Sequence, residues 1–218
     1  MLYEIARFIV WLYFKIYHRF ASSGAENIPA GRPVILASNH ASYLDPPAVA
    51  LGIYPRHLRF VAWEKLFEVP IFGWLIRALG AVPVSPDNKN SSAALLRLVM
   101  GFLKDGSSVF ICPEGHRTET GELEPLEGGV AILAMKTGTP VIPTWCGGTF
   151  RAMSPAMTFP RPRKVYVNFG KPIYMEEIPA ELGEKEKRRY ILDKIEEYYK
   201  KMDAEDKKRY PRQQLKEK

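Results

Sequence analysis

The chain has 218 residues, of which 46% are hydrophobic and 12% aromatic. This composition excludes a largely disordered chain and is typical of a single α/β domain with a substantial core. A formal net charge of +7 favours an anionic partner, such as an anionic membrane surface or a phosphorylated substrate. We expect no nucleic-acid partner, because no Lys/Arg block with interleaved aromatic residues resembles a nucleic-acid-binding module.

The first 21 residues are predicted to form an amphipathic helix at a membrane interface. Their uninterrupted apolar run, residues 8–14, is far shorter than the roughly 20 residues that span a bilayer. On a helix, one face is broad, apolar and rich in Trp and Tyr. The polar side chains gather largely on the other side: Glu4, Arg7, Lys15, His18 and Arg19. We expect peripheral or monotopic binding to the cytoplasmic face of a membrane, with an ordinary core helix as the alternative.

Residues 22–33 read as a turn-rich linker into an α/β domain that covers residues 34–183. The apolar run 34–37 predicts a buried strand, and Asp45-Pro46 predicts a helix start with Asp45 as N-cap. His40 therefore lies just past the carboxyl end of a strand, where open α/β sheets place their chemistry. Asp45 can accept one ring N–H and leave the other nitrogen to take a proton, so the pair predicts a general base. A structural or solvated histidine is the alternative.

The following segments alternate between helical and extended patterns, which predicts a mixed, largely parallel central sheet flanked by helices. Helices are predicted over 47–52, 70–79, 91–104 and 128–136, and strands over 58–62, 81–84, 108–111, 141–145 and 165–169. Residues 149–162 are irregular and either rim a membrane-facing opening or form a plain surface loop. A second polar cluster, residues 112–118, directly follows the strand 108–111.

A charged C-terminal helix and tail are predicted over residues 184–218. This segment contains thirteen Lys/Arg and nine Asp/Glu residues. Acidic and basic residues recur at helical spacing, which predicts a solvated helix.

Two sequence blocks, in this order, resemble those of the glycerolipid acyltransferases. Residues 39–45, Asn-His-Ala-Ser-Tyr-Leu-Asp, match the N-H-x-S-x-x-D block of that family, and residues 113–118, Pro-Glu-Gly-His-Arg-Thr, resemble its P-E-G-T-R-S block. Residues 63–74 and 140–143 also match. The similarity covers roughly residues 34–145 and is closest to the 1-acylglycerol-3-phosphate acyltransferase branch.

The resemblance implies transfer of an acyl group from acyl-CoA or acyl-carrier protein to the free hydroxyl of a lysolipid, with 1-acyl-sn-glycerol-3-phosphate as the leading acceptor. His40 would act as base and Asp45 would orient it, without an acyl-enzyme; no cofactor or metal is expected. The predicted substrate-binding residues are Asn39, Ser42, Glu114, Gly115, Arg117 and Thr118. A turn hydroxyl is the alternative for Ser42, and a structural carboxylate is the alternative for Glu114.

Three departures from the family pattern concern the acceptor. His116 replaces the usual Thr, Ser85-Pro86-Asp87 stands where an Arg commonly follows the strand, and Leu126-Glu127 stands where a Lys is common. Positive charge is thus missing where a phosphate is expected. Glycerol-3-phosphate or a non-phosphate lysolipid is therefore an alternative acceptor. A catalytically silent lipid-binding protein and a metallohydrolase using His40, Asp45, Glu114 and His116 are alternatives from other classes.

Overall fold

A seven-stranded sheet organises the protein in a computed structural model that describes residues 2–70, 72–85 and 91–210. The strands are β1 (Ala21–Ser23), β2 (Ile35–Ser38), β3 (Leu58–Trp63), β4 (Ala81–Val84), β5 (Ser108–Ile111), β6 (Val141–Gly147) and β7 (Tyr166–Phe169). Their order in the sheet is β1-β7-β6-β2-β5-β3-β4. Neighbouring strands are parallel except for β6 and β7, so the predicted mixed, largely parallel sheet is confirmed.

Helices cover both faces of this sheet. They are α1 (Leu2–Tyr17), α2 (Asp45–Gly52), α3 (Phe72–Ala78), α4 (Ser91–Lys104), α5 (Gly129–Thr137), α6 (Thr149–Ala152) and α7 (Glu184–Arg209). Successive side chains of β2 enter two separate cores, because side chains alternate across a strand. Leu36 packs with α1, α2 and α3, whereas Ile35 packs with α4, α5 and α7.

The sheet brings the two polar clusters of the sequence together. β2 and β5 are adjacent and parallel, with Ile35 paired to Val109 and Ala37 to Ile111. Because the carboxyl ends of parallel strands meet at one edge, residues 39–45 and 112–118 leave the sheet side by side. β2 is fully buried, which explains its uninterrupted apolar sequence.

Two segment predictions change. Residues 149–162 are not irregular throughout, because their first four residues form α6. The segment 22–33 is not simply a linker, because β1 pairs in parallel with β7 at the edge of the sheet and a short 3-10 turn, Ala25–Asn27, follows it. A strand of three residues is too short to show alternation in the sequence. The predictions for Ile71, Pro86-Asp87 and the tail from 211 onward lie outside the described residues.

The N-terminal segment forms a helix, but its side chains are not distributed as predicted. Ala6 and Phe14 are buried against the core, whereas His18 lies beyond the helix end and is completely buried. His18 therefore does not belong to the predicted polar side of the helix. The large apolar side chains that remain exposed include Ile5, Phe8, Ile9, Leu12 and Ile16. Within the described residues, no helix has the length and apolar character needed to cross a membrane.

The C-terminal helix α7 is confirmed as a helix but is not solvated all round. Ile191, Ile195, Tyr199 and Met202 form a buried stripe that packs into the core beside α5 and β6. Its outer face carries acid–base pairs at helical spacing, such as Arg189 with Asp193. Because the segment is highly charged, these four positions at helical spacing are hard to recognise in the sequence. Tertiary packing buries them against the core.

Candidate active site

The turn between β2 and α2 is built on one carboxylate oxygen. Asp45 Oδ2 accepts hydrogen bonds from His40 Nδ1 at 3.0 Å and from the backbone N–H groups of Ala41 and Ser42, each at 2.8 Å. Asp45 is therefore not the N-cap of α2. It is the first helical residue, and its side chain turns back to close the loop in front of it.

This arrangement fixes the tautomer of His40. A carboxylate can only accept hydrogen bonds, so Nδ1 carries the proton and Nε2 presents a lone pair. Nε2 has no hydrogen-bond partner among the described residues, and the His40 side chain is 21% exposed. Asp45 is completely buried, and its Oδ1 lacks a hydrogen-bond partner within the same part of the chain. Its charge is thus poorly solvated and well placed to stabilise an imidazolium.

Glu114 locks the second block to the first. Its Oε1 accepts the backbone N–H of His40 at 3.0 Å, and its Oε2 accepts that of Glu124 at 3.3 Å. The backbone N–H of Thr118 donates to the His40 carbonyl at 2.9 Å. Burial raises the pKa of Glu114 to about 7, against the lowering effect of the two backbone hydrogen bonds. Glu114 is only 2% exposed, and its two hydrogen bonds make it a structural clamp between the blocks; its expected contact with the acceptor stays a prediction.

Three other predicted substrate contacts are also buried and bonded to the protein itself. Asn39 exchanges two hydrogen bonds with the backbone of Cys146, and the Ser42 hydroxyl donates to the Met153 carbonyl at 2.6 Å. Thr118 Oγ1 accepts the backbone N–H of Gly121 at 3.0 Å. Asn39, Ser42 and Thr118 therefore shape the site, and their expected contacts with substrate stay predictions. For Ser42 this is the turn hydroxyl considered from the sequence.

Arg117 is held against Tyr43 of the first block. The guanidinium carbon lies 3.6 Å from the centre of the Tyr43 ring, and Nη2 donates to the Tyr43 hydroxyl at 2.9 Å. The stacked tyrosine restricts the arginine, which is partly exposed, to one orientation. Gly115, two residues earlier, has a φ of 76° and is exposed, so the chain turns here in a conformation that favours glycine.

A cleft opens beside His40, and α7 supplies one of its walls. Arg151 binds Asp206 at 2.7 Å, and Lys207 binds Glu122 at 2.7 Å. The cleft is lined by these four residues together with His40, Trp145, Phe150 and Tyr210. The predicted site residues Asn39, Glu114 and Thr118 also line it, whereas Ser42, Gly115 and Arg117 are not among its lining residues. Sequence reasoning missed the contribution of α7 and Arg151, because contacts 55 and 85 residues apart leave no local pattern.

The metallohydrolase alternative finds no geometric support in the described residues. No group of three or more His, Cys, Asp or Glu side chains in this part of the chain is arranged to hold a metal ion. His116 is exposed, while Asp45 and Glu114 are buried and engaged by backbone N–H groups.

Comparisons with known proteins identify the family of the chain. A family model described as Acyltransferase matches residues 19–147. The chain is 34% identical to the chloroplastic 1-acyl-sn-glycerol-3-phosphate acyltransferase of Brassica napus over 148 residues, which cover 66% of this chain and 42% of that protein. It is 24% identical to the Bacillus subtilis 1-acyl-sn-glycerol-3-phosphate acyltransferase over 189 residues, 87% of each chain. The chain thus spans about two fifths of the plastid relative and most of the bacterial one.

A solved structure shows the same fold. The crystal structure of the 1-acyl-sn-glycerophosphate acyltransferase PlsC from Thermotoga maritima superimposes with a TM-score of 0.75 at 25% identity, covering 93% of this chain and 80% of that one. The family match covers more than half of the chain and includes the turn that holds His40 and Asp45. This chain is therefore a member of the acyltransferase family.

Proposed function

We propose that the protein transfers an acyl group from a thioester donor, acyl-CoA or acyl-carrier protein, to the free hydroxyl of 1-acyl-sn-glycerol-3-phosphate. The observation that carries the proposal is the His40–Asp45 pair, with its second imidazole nitrogen presented to a cleft at the carboxyl edge of the sheet. The relatives support the acceptor, since both sequence relatives are described as 1-acyl-sn-glycerol-3-phosphate acyltransferases.

In the proposed reaction, His40 Nε2 takes the proton of the acceptor hydroxyl as its oxygen attacks the thioester carbonyl. The tetrahedral intermediate collapses by breaking the C–S bond, and the imidazolium returns the proton to the leaving thiolate. Asp45 stabilises the imidazolium between these steps. Ser42 is an unsuitable nucleophile, because it is completely buried and its hydroxyl is engaged by Met153 and Leu44. Direct transfer without an acyl-enzyme is therefore proposed.

Arg117 is proposed to bind the phosphate of the acceptor. A guanidinium can bind a phosphate through two hydrogen bonds, and stacking on Tyr43 lowers the entropy lost when it does so. Another acceptor is the second candidate, favoured by Ser85 at the end of β4, where the family commonly has an arginine.

The reaction is proposed to take place at a membrane surface, where lysolipids reside. The outer face of α1 supports this, since Phe8, Ile9 and Ile16 are 54%, 60% and 71% exposed. Exposed apolar side chains on one helix face are typical of interfacial binding. Binding to the cytoplasmic face stays a prediction from the sequence.

The test of the reaction is thiol release from a long-chain acyl-CoA with and without a lysolipid acceptor. We expect release only with the acceptor, and we expect His40→Ala to lower it by about 10³-fold, within the range of general-base catalysis. His57→Ala, at the opposite edge of the sheet, is the matched control and should leave release unchanged. Full activity in folded His40→Ala protein would remove His40 from the mechanism.

The test of the acceptor is a panel with one acyl-CoA donor. 1-acyl-sn-glycerol-3-phosphate should give the highest kcat/KM, followed by glycerol-3-phosphate and then monoacylglycerol, a lysolipid without phosphate. A neutral lysolipid used as well as 1-acyl-sn-glycerol-3-phosphate would replace the leading acceptor with the alternative.

A further inference from the structure

Phe159 is the most exposed large apolar side chain among the described residues, at 79%. It lies on the loop 153–164, which joins α6 to β7 and contains the sequence Phe-Pro-Arg-Pro-Arg-Lys at 159–164. An aromatic ring fully presented to water beside several cations is an unfavourable arrangement for a plain surface loop. Phe159 is not part of α1, so its exposure is separate from that of the apolar side chains on that helix.

The loop is nevertheless fixed to the end of α1. The Tyr17 hydroxyl donates to the Pro160 carbonyl at 3.0 Å, and the backbone N–H of Arg161 donates to the Ala152 carbonyl at 2.7 Å. His18 Nδ1 donates to the Arg163 carbonyl at 3.0 Å. Burial lowers the pKa of His18, so the neutral ring serves as a structural link. The exposed position of Phe159 is therefore held in place by α1.

The same surface concentrates unpaired positive charge. Within the described residues, no ion pair involves the basic residues of the loop or those at and just after the end of α1: Arg161, Arg163, Lys164, Lys15 and Arg19. In α7, by comparison, five of the ten basic residues are paired with carboxylates: Arg188, Arg189, Lys194, Lys200 and Lys207. An exposed apolar side chain flanked along the chain by unpaired cations is complementary to an anionic lipid surface, where each basic residue adds to binding.

We propose that the loop 153–164 is a second membrane contact that inserts Phe159 into an anionic bilayer beside α1. The inference rests on the proposed interfacial function and extends it to a specific segment. The loop also reaches the catalytic turn, because the Ser42 hydroxyl donates to the Met153 carbonyl at 2.6 Å. Binding of the loop to the bilayer thus brings the His40 turn to the lipid surface, where a lysolipid can enter without leaving the membrane.

The direct test is an environment-sensitive fluorophore at position 159. The variant Phe159→Cys is labelled in a Cys112→Ala background, in which the buried Cys146 is the remaining thiol. The control is Lys185→Cys, at the start of α7. With vesicles of phosphatidylglycerol and phosphatidylcholine, we expect a blue shift and quenching by spin-labelled lipid at position 159 alone.

Three other outcomes would overturn the inference, and each has a different meaning. If the protein binds vesicles while the label at 159 stays in water, the loop is not inserted and α1 alone makes the proposed contact. If it binds no vesicles, the interfacial proposal fails as well. A blue shift that grows with protein concentration and needs no vesicles would identify a second copy of the chain as the occupant.

Removing charges tests whether the basic residues of this loop bind anionic lipid specifically or whether basic residues elsewhere on the protein contribute equally. Arg161→Gln with Arg163→Gln should weaken vesicle binding about 25-fold, at about fivefold for each charge. Lys185→Gln with Lys201→Gln removes the same charge from the opposite face of the sheet and should change binding less than about twofold. Equal losses would overturn the proposal. So would loss of transfer to a soluble short-chain acceptor in the first pair, because the loop would then act on the site itself.

Discussion

The turn after β2 and the outer surface of α1 both invert the usual distribution of side chains in a globular protein. In the turn, polar groups are buried: Ser38, Asn39, Ser42 and Asp45 are all at most 5% exposed. On α1, apolar groups are exposed, with Ile16 at 71%. Within the described residues, the buried groups of the turn form hydrogen bonds to backbone N–H and C=O groups, with Asp45 Oδ1 as the exception. The surface of α1 finds no such compensation within the described residues.

This difference indicates the role of each region. A buried polar network that is satisfied from within is rigid and can hold a reactive group in one orientation. An exposed apolar face gains free energy only when something outside the chain covers it. The buried polar turn therefore indicates a catalytic site, and the exposed apolar surface of α1 indicates a binding partner. The following four predictions can sharpen or break this contrast.

The largest expected effect is on the turn. Asp45→Asn should lower kcat by at least about 10²-fold, because an amide oxygen can still accept the three donors but no longer stabilises the imidazolium by charge. Thiol release at saturating acceptor measures it, with circular dichroism to confirm the fold. An unchanged kcat would reduce Asp45 to a purely structural role.

The buried carboxylate beside the turn should make stability depend on pH. The pKa of Glu114 rises from 4.5 to about 7 on folding, so the folded state binds the proton more tightly and the free energy of unfolding falls as pH rises through this window. The expected fall is about 3 kcal/mol, at about 1.4 kcal/mol per pH unit. Glu114→Gln should remove this slope in urea titrations at pH 5 and pH 7. An identical slope in both proteins would assign the effect to other groups.

A smaller effect is expected at the partly exposed edge of the site. Arg117→Ala should raise KM for a phosphate-bearing acceptor about 50-fold and leave a neutral lysolipid almost unaffected, since a charge-assisted bidentate contact is lost. Tyr43→Phe keeps the stacked ring and should cost only a few-fold. Arg189→Ala, on the outer face of α7, serves as the control. A similar loss for charged and neutral acceptors would mean that Arg117 does not bind the phosphate.

The smallest effect is expected on α1, and it should appear in binding rather than in stability. Ile9→Ser with Ile16→Ser should weaken vesicle binding about tenfold and change the free energy of unfolding by less than about 0.5 kcal/mol. Phe14→Ser on the same helix is the matched contrast. Phe14 is 1% exposed, so its loss should cost about 3 kcal/mol or more. If the double variant floats with vesicles as well as the unaltered protein does, the membrane contact lies elsewhere.

Local pattern was sufficient for much of the fold. The bounds of α4, β4 and β5 are those that periodicity and the flanking turn residues predict. Each has a strong local signal, because apolar spacing and terminating glycines act over a few residues. The sequence contains no such signal for β1, because this three-residue edge strand is defined by its pairing with β7. The buried stripe of α7 was hidden for a similar reason, as its charges dominate the composition.

The sequence by itself determined the family, the α/β class and the pairing of His40 with Asp45, because all of these depend on residue type at short spacing. The tertiary structure alone decided which oxygen of Asp45 holds the turn, that Glu114 clamps the two blocks, and that α7 walls the cleft. It also decided that His18 is buried while Phe159 is exposed. The physical reason is that burial and hydrogen-bond partners depend on residues brought together across the sheet, and the sequence does not encode those distances locally.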